Sequence, residues 1–436
     1  MTFSLTLIFM FLVFWRPQEW LFPWMYGWPV LDGITYAAFI SLAFESSTQK
    51  LIVPKTPAIF LAAGLLFASI TSHLFHGYFQ GIMDAICETF KLCGFLVLLL
   101  VVTNSIRRLR WVIFILLLGA VVMAIHAIMQ ESTGVGFAGA PPLLLYDNLK
   151  DRWFRQSLFF GIFSDPNDLG QFLATCIPLV FALPKRIRFM VVVLSVAFVW
   201  LLAEGIIATR SRGTLVGVLA TVTCMIFLWL PVKWMPYVGG LALIGGLVGC
   251  RLFGGLFLDE SSRDRVVFWG YANEYFKSHP LFGGGFGMFG EITGTERAAH
   301  NAYVCCYTEL GLFGYWFWFN MLTLGLIGCW RTRMAFNKPK NETQDYLKRV
   351  AGLAISSMMG FAASAYFLSR AYVFPLFFMF AILASIPMIA AKYLPEEHPP
   401  LLNFRKDVLF TGTLASLFSV LYIYVTILLL NRVASV

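Results

Sequence analysis

Apolar stretches long enough to cross a membrane follow one another almost without interruption along this chain. A membrane helix needs about 20 apolar residues, and this 436-residue sequence is 59% hydrophobic and 13% charged. A soluble domain carries about 25% charged residues, and no domain-sized segment of that kind occurs. The sequence therefore predicts one integral membrane domain, residues 1–436, of the all-α class.

Twelve or thirteen membrane helices are predicted, the first being the weakest. Because no basic region and no small-residue cleavage site accompany it, the first is expected to be a short span and not a cleaved signal. The candidates lie near residues 2–15, 29–45, 57–75, 88–105, 111–130, 167–184, 189–208, 213–231, 235–257, 302–328, 350–368, 373–391 and 408–430.

The basic residues between these spans predict the orientation. Residues 107–110, 185–188, 331–349 and 392–406 hold most of them and fall on one side if the spans alternate. Positive loops mark the cytoplasmic side. The net charge of +9 thus reflects topology and does not indicate a nucleic-acid-binding face. The opposite face receives residues 16–28, 131–166, 209–212 and 258–301.

A polar segment from Asp259 to Asn301 interrupts the apolar pattern on the outer face, and we expect the working site there. Several outer basic residues run against the topological trend, which an anionic ligand would explain. Alternatively, they pair with nearby carboxylates on a solvated loop. The basic residues are Arg210, Arg212, Arg251, Arg263, Arg265, Lys277 and Arg297.

Arg210 and Arg212 open the eighth span beside Ser211 and Gly213. Arginine binds phosphate oxygens bidentately and stays charged at any pH, so this pair is a candidate diphosphate clamp. The alternative is that both side chains snorkel to the membrane surface.

Residues 262–271 have the spacing of an amphipathic helix lying on the membrane, with Phe268, Trp269 and Tyr271 available to its apolar side. Arg265 and Trp269 are four residues apart and share a face. An ordinary interfacial helix would have the same pattern.

Residues 278–289 contain a proline and a glycine run, which predict a turn and not a regular helix. Such a turn could bring its amides close to a ligand, as phosphate loops do. It lacks the Lys-Ser/Thr of a nucleotide-binding loop.

His300 and Asn301 directly precede the tenth span. Histidine titrates near neutrality, so His300 is a candidate base for an acceptor hydroxyl. Glu309 lies about two turns into the span, where a carboxylate is costly and needs a partner or a role.

Asp165 and Asn167 precede the sixth span and either cap that helix or contact a sugar, and capping is favoured. No metal-ligand spacing occurs, and most of the eight cysteines lie in apolar runs. We therefore expect free thiols, no metal and no cofactor.

These motifs, in this order and topological placement, resemble the O-antigen ligase/polymerase superfamily over roughly residues 160 to 320, and most closely its ligases and O-glycosylation ligases. The start Arg16-Pro17-Gln18-Glu19 is also similar to the ligase branch. The motifs are Ser164-Asp165-Pro166-Asn167, Ser211-Arg212-Gly213, Arg265 with Trp269, His279-Pro280-Leu281 with the glycine run, and His300-Asn301 with Glu309-Leu310-Gly311.

The resemblance implies an inverting, metal-independent glycosyltransferase of the GT-C type in the bacterial inner membrane. It would move a glycan from undecaprenyl diphosphate to lipid A–core oligosaccharide on the periplasmic side. Arg212 or Arg210 matches the family's arginine at the start of a span, Arg265 its loop arginine and His300 its histidine. Arg212 and Arg265, and more weakly Arg210, would hold the diphosphate. Glu309, or more weakly Glu291 or Glu296, would orient His300 or replace it as base.

Three other functions remain open at this point. A polymerase of the same superfamily would need the same diphosphate clamp, and a protein O-oligosaccharyltransferase would pass the glycan to Ser or Thr. A lipid or glycan transporter is the alternative from another class. The polar residues concentrate on one outer face and not near the bilayer midplane, which disfavours transport.

Overall fold

The computed structural model describes residues 1–25, 27–48, 50–147, 151–182, 188–230, 234, 237, 260–295, 298–368 and 370–434. Within these ranges, eight helices are long and apolar enough to cross a membrane, and two more apolar helices, Thr2–Trp15 and Arg212–Leu228, are shorter. The predicted all-α polytopic class is confirmed. The predicted span at 235–257 lies outside the described residues, which explains part of the difference from twelve or thirteen spans.

Most helices begin and end close to the predicted boundaries, because apolar length and capping residues set both. Three extend further than predicted: the helix predicted at 88–105 begins at Phe79, that predicted at 302–328 ends at Ala335, and that predicted at 350–368 begins at Glu342. All seven described cysteines are free, and five of them are buried. The helices are α1 Thr2–Trp15, α2 Pro17–Trp20, α3 Val30–Ser47, α4 Pro57–Leu74, α5 Phe79–Val102, α6 Ile106–Thr133, α7 Pro166–Val180, α8 Arg188–Thr209, α9 Arg212–Trp229, α10 Glu260–Ser278, α11 Phe289–Thr293, α12 Ala302–Ala335, α13 Glu342–Ser364, α14 Phe374–Ala391 and α15 Thr413–Ala434.

Short 3₁₀ turns and one π-helix, Phe404–Gly412, join these helices. One antiparallel hairpin follows α6, in which β1 (Leu143–Asp147) pairs with β2 (Arg152–Gln156). Its register places Leu145 opposite Phe154.

The basic loops gather at one end of the helical bundle, as their charge predicts. Lys392 Nζ donates to the Asn104 carbonyl at 2.7 Å, and the Arg110 guanidinium lies 4.3 Å from the Tyr346 ring centroid. The starts of α7, α9 and α12 and the end of α13 lie at the opposite end, which we call the outer end.

The helix α12 is broken at Gly311, whose φ of 63° and ψ of −169° are not helical. The glycine turn after α10 fills the break: Gly284 and Gly285 donate to the carbonyls of Thr308 and Glu309, both at 2.9 Å. Beyond the break, two amides of α12 donate back to carbonyls of the turn at 2.8 and 3.0 Å. Four backbone groups of α12 beside the break thus find partners in the turn, as backbone groups in a membrane helix require.

Glycine is needed on both sides of this contact. Gly283 and Gly311 have φ values of +65° and +63°, and a Cβ at either would overlap the facing backbone. The predicted turn is confirmed, but its ligand-binding role is corrected: the amides of Gly283, Gly284 and Gly285 donate to protein carbonyls.

The predicted amphipathic helix is α10, but its apolar face does not lie on lipid. Trp269, Ala272, Asn273 and Phe276 are buried, and this spacing is one helical face. Asn273 joins α10 to two helices, since its Nδ2 donates to the Tyr424 carbonyl of α15 at 3.1 Å and its Oδ1 accepts from the Tyr307 hydroxyl of α12 at 2.6 Å.

The aromatic residues predicted for the apolar side of α10 do not share one environment. Trp269 is buried, Phe268 is half-buried and Tyr271 is exposed. The buried face with Trp269 and Asn273 packs against the bundle and not against the membrane. Polar groups of α12 and α15 stabilise this packing by pairing with Asn273.

Candidate functional site

Two motifs far apart in the sequence meet at the outer end. The Ser211 hydroxyl donates to Asn167 Oδ1 at 2.7 Å. Each residue also belongs to a helix start, because Asp165 Oδ1 accepts from the Asn167 amide at 2.7 Å and Ser211 Oγ accepts from the Thr214 amide at 3.2 Å. The predicted capping role of Asp165 is confirmed, and Asn167 joins α7 to α9.

The two arginines beside Ser211 have different positions. Arg210 adopts a left-handed φ of 51° and pairs with Glu131 Oε1 at the end of α6 at 2.7 Å. Its guanidinium also lies 5.6 Å from the Phe154 ring centroid. Arg212 is exposed in the first turn of α9, where the helix dipole favours anions. Arg210 therefore contacts the end of α6 and the hairpin, whereas Arg212 lies exposed at the start of α9.

Two aromatic residues after α13 lie between the start of α9 and the start of α12. A Cβ at Gly213 would lie 3.2 Å from Phe367 Cβ. The neighbouring Tyr366 ring lies 5.9 Å from the Trp269 ring and 6.3 Å from the Tyr303 ring, centroid to centroid. Phe367 therefore contacts the start of α9, and the neighbouring Tyr366 contacts a residue of α10 and a residue at the start of α12.

His300 is held in place from both sides. Trp269 Nε1 donates to the Ala299 carbonyl at 2.6 Å, and Asn301 Oδ1 caps α12 by accepting from the amides of Tyr303 and Val304 at 3.0 and 3.1 Å. Between them, His300 has a φ of 48°, a conformation that costs a non-glycine residue about 1 kcal/mol or more and clusters at functional sites.

Asn301 is buried, and within the described residues its Nδ2 has no hydrogen-bond partner. Arg265 lies one turn before Trp269 on the same face of α10, and it is half-buried. Arg263 also belongs to α10, but its side chain lies outside what the structure describes.

Glu309 does not orient His300. Its carboxylate accepts from the amides of Gly287 and Phe289, the latter at 3.3 Å. It also lies nine residues after His300, about 13 Å along the helix. The partner that a buried carboxylate needs is therefore supplied to Glu309 by the glycine turn and not by His300. Of the weaker candidates, Glu291 is exposed in α11 and Glu296 lies outside the described residues.

One charged residue of the outer end, Arg370, is not among the site residues predicted from the sequence. Arg370 forms an ion pair with the nearly buried Asp168 of α7. A signal existed, because Arg370 is a lone basic residue on the outer side, against the positive-inside trend. Tyr366 and Phe367 carry no such signal, since they look like the apolar end of a span.

The capped starts of α7, α9 and α12 lie at the outer end together with Arg212 and Arg265. This combination suits a multiply charged anion, because helix N-termini and guanidinium groups both stabilise phosphate oxygens. Among the described residues, no three His, Cys, Asp or Glu side chains converge as metal ligands.

The fold and the outer end together define a multi-pass α-helical membrane protein. Residues 197–319 match the family model described as O-antigen ligase. This segment contains Arg210, Arg212, Arg265, Trp269 and His300, so the resemblance deduced from the motifs is confirmed over it. Asp165 and Asn167 lie before the match but join it through Ser211.

No curated protein matches the chain. The family match and the apolar helices support a membrane enzyme of the O-antigen ligase or polymerase type.

Proposed function

We propose that this protein is an inverting glycosyltransferase of the O-antigen ligase type. It transfers a glycan from undecaprenyl diphosphate to lipid A–core oligosaccharide, without a metal ion, at the periplasmic face of the bacterial inner membrane. The chain is one membrane domain of the GT-C kind, and residues 258–301 contribute the periplasmic part of its active site.

One observation carries the proposal. The start of α9 with Arg212 and the start of α12 with His300 lie on either side of Tyr366 and Phe367. This arrangement supports the proposal, because transfer from a diphosphate donor requires an anion-binding group and a proton acceptor at the same end of the bundle.

The chemistry is a single displacement. The acceptor hydroxyl oxygen forms a bond to the anomeric carbon of the donor glycan while the bond from that carbon to the diphosphate oxygen breaks. The hydroxyl proton passes to His300, and undecaprenyl diphosphate leaves with the bonding electron pair. Arg212 and Arg265 stabilise the charge that develops on the diphosphate. Attack opposite to the leaving group inverts the anomeric centre.

Other side chains near His300, Arg212 and Arg265 hold these residues in position or contact the substrate. Trp269 fixes the backbone before His300 through the Ala299 carbonyl. Asn301, a predicted substrate-binding residue, is fully buried and supports His300 by capping α12. Arg210 and Arg263 are kept from the sequence as candidate contacts of the diphosphate. Asp165 and Asn167 support the start of α9 through the bond to Ser211.

The test is transfer in liposomes that contain purified protein, glycan linked to undecaprenyl diphosphate, lipid A–core and EDTA. We expect a ladder of glycan-modified core on a gel. Growth of glycan on the carrier lipid, with unmodified core, would instead identify a polymerase. Glycan on a Ser- or Thr-containing protein acceptor would identify an O-oligosaccharyltransferase.

A different outcome would reject enzymatic transfer. Movement of intact donor across the liposome membrane, with no product on any of the three acceptors, would identify a transporter.

A further inference from the structure

A cavity of about 530 Å³ lies at the other end of α12, far from His300. It is formed by the last turns of α12 and by residues 398–406. Its polar lining residues are Arg331, His398, Asn403 and Lys406. A volume of this size is typical of small-molecule sites.

An ion pair between the half-buried Arg331 and the buried Asp407 forms part of the wall of this cavity. Arg331 Nη1 and Nη2 donate to the two oxygens of Asp407 at 2.7 and 2.6 Å, and Nη1 also donates to the Leu401 carbonyl at 3.1 Å. Asp407 is fully buried and accepts a further hydrogen bond from the Asn403 amide at 2.6 Å. The loop from 401 to 407 is thereby fixed in shape, which favours binding without reorganisation.

The cavity carries positive charge. Asp407 balances the charge of Arg331, but these contacts use only three of the five N–H donors of the guanidinium. Lys406 adds an ammonium group, and His398 Nδ1 is fixed by donating to the Pro399 carbonyl at 2.7 Å. None of the described residues lining the cavity is a carboxylate.

Apolar surface adjoins the cavity on the membrane side. Met334 lines the cavity and is 38% exposed, and Phe404 follows the lining residue Asn403 and is 37% exposed. The Phe404 ring meets that of Phe60, which is 48% exposed, at 5.2 Å between centroids. A ligand headed by an anion and tailed by hydrocarbon would match both surfaces.

This end of the bundle holds the basic loops and is the predicted cytoplasmic side. Anionic phospholipids give the cytoplasmic leaflet its negative surface, and basic pockets between membrane helices bind their headgroups. We propose that this cavity binds the phosphate of an anionic phospholipid, with Lys406, His398 and Arg331 around the phosphate and the acyl chains along Met334 and Phe404.

The test is native mass spectrometry of the full-length protein in detergent, titrated with phosphatidylglycerol or with phosphatidylcholine of the same chain length. We expect saturable phosphatidylglycerol adducts and at least tenfold weaker adducts with phosphatidylcholine. Lys406→Gln should weaken phosphatidylglycerol binding about tenfold. Arg405→Gln removes an adjacent exposed charge that does not line the cavity and should leave binding unchanged.

A second variant changes the cavity without changing its charge. Met334→Trp should fill the opening on the membrane side and reduce phosphatidylglycerol binding to the level of Lys406→Gln. Circular dichroism and thermal unfolding would verify that each variant is folded.

Three results would overturn the proposal. Equal weakening by Arg405→Gln would mean that surface charge alone attracts the lipid. If inorganic phosphate displaced bound phosphatidylglycerol as effectively as added phosphatidylglycerol does, the cavity would be assigned to a soluble phosphate. Unchanged binding by folded Lys406→Gln and Met334→Trp variants would place the lipid elsewhere.

Discussion

The hydroxyl of Ser211 donates a 2.7 Å hydrogen bond to the side-chain oxygen of Asn167, 44 residues earlier, and joins the starts of α9 and α7. The bond connects the Asp165-Pro166-Asn167 motif to the family-matched segment. It also sets the position of Arg212, the first residue of α9.

Loss of this connection is expected to impair transfer more than stability. Ser211→Ala removes a helix cap and the bond to Asn167, so it should lower the free energy of unfolding by about 1–2 kcal/mol and transfer about tenfold. The measurement is the liposome assay beside thermal unfolding. Ser105→Ala, which removes the cap of α6 at the other end of the bundle, should leave transfer unchanged; equal losses in both variants would assign Ser211 to stability alone.

Trp269→Phe tests the support of His300. The phenyl ring keeps the apolar contact, but the hydrogen bond to the Ala299 carbonyl is lost, at a cost of about 1 kcal/mol in stability. Transfer should fall at least tenfold because the backbone before His300 is no longer fixed. Trp316→Phe loses a similar bond, to Thr413 at 2.8 Å, and is the matched control. Full activity of Trp269→Phe would refute the positioning role.

Arg210 and Arg212 should separate in a paired experiment. Arg212→Gln is expected to lower transfer by about 10²–10³-fold, the usual effect of removing a group that stabilises developing charge. Arg210→Gln breaks only a half-exposed pair with Glu131, whose contribution to stability is below about 1 kcal/mol, and should keep transfer within about fivefold. The reverse ranking would exchange the two assignments.

Glu309→Gln distinguishes a structural carboxylate from a base. Glutamine retains an acceptor for the loop amides of Gly287 and Phe289, so we expect nearly full transfer. Glu309→Ala leaves these amides without their acceptor, which costs about 1–3 kcal/mol for each unpaired buried group. A folded but inactive Glu309→Gln protein would instead make Glu309 the proton acceptor.

Hydropathy predicted most helices within a few residues because lipid demands apolar length and satisfied backbone groups. Residues 2–15, for example, form the helix Thr2–Trp15 as predicted. Asp165 was predictable as a cap because its role depends only on residues beside it in the sequence.

The long-range relationships were not predictable in this way. The break at Gly311 is filled by a glycine turn from an earlier part of the chain. The sequence of neither segment indicates that the two are in contact. Tyr366 lies at the outer end because α13 ends there, and nothing local distinguishes it from a lipid-facing aromatic residue. Arg370 was detectable from its charge, but its partner Asp168 looked like a first-turn acid of α7.

The role of His300 is the central claim, and its most direct test is the transfer rate of His300→Asn in the liposome assay. Asparagine tolerates the left-handed conformation but does not serve as a base. We predict that His300→Asn lowers the transfer rate about 10²–10⁴-fold. The control is His279→Ala, which changes an exposed histidine of the same outer segment and should not show this loss. Transfer by a folded His300→Asn protein within tenfold of the unmodified protein would contradict the account.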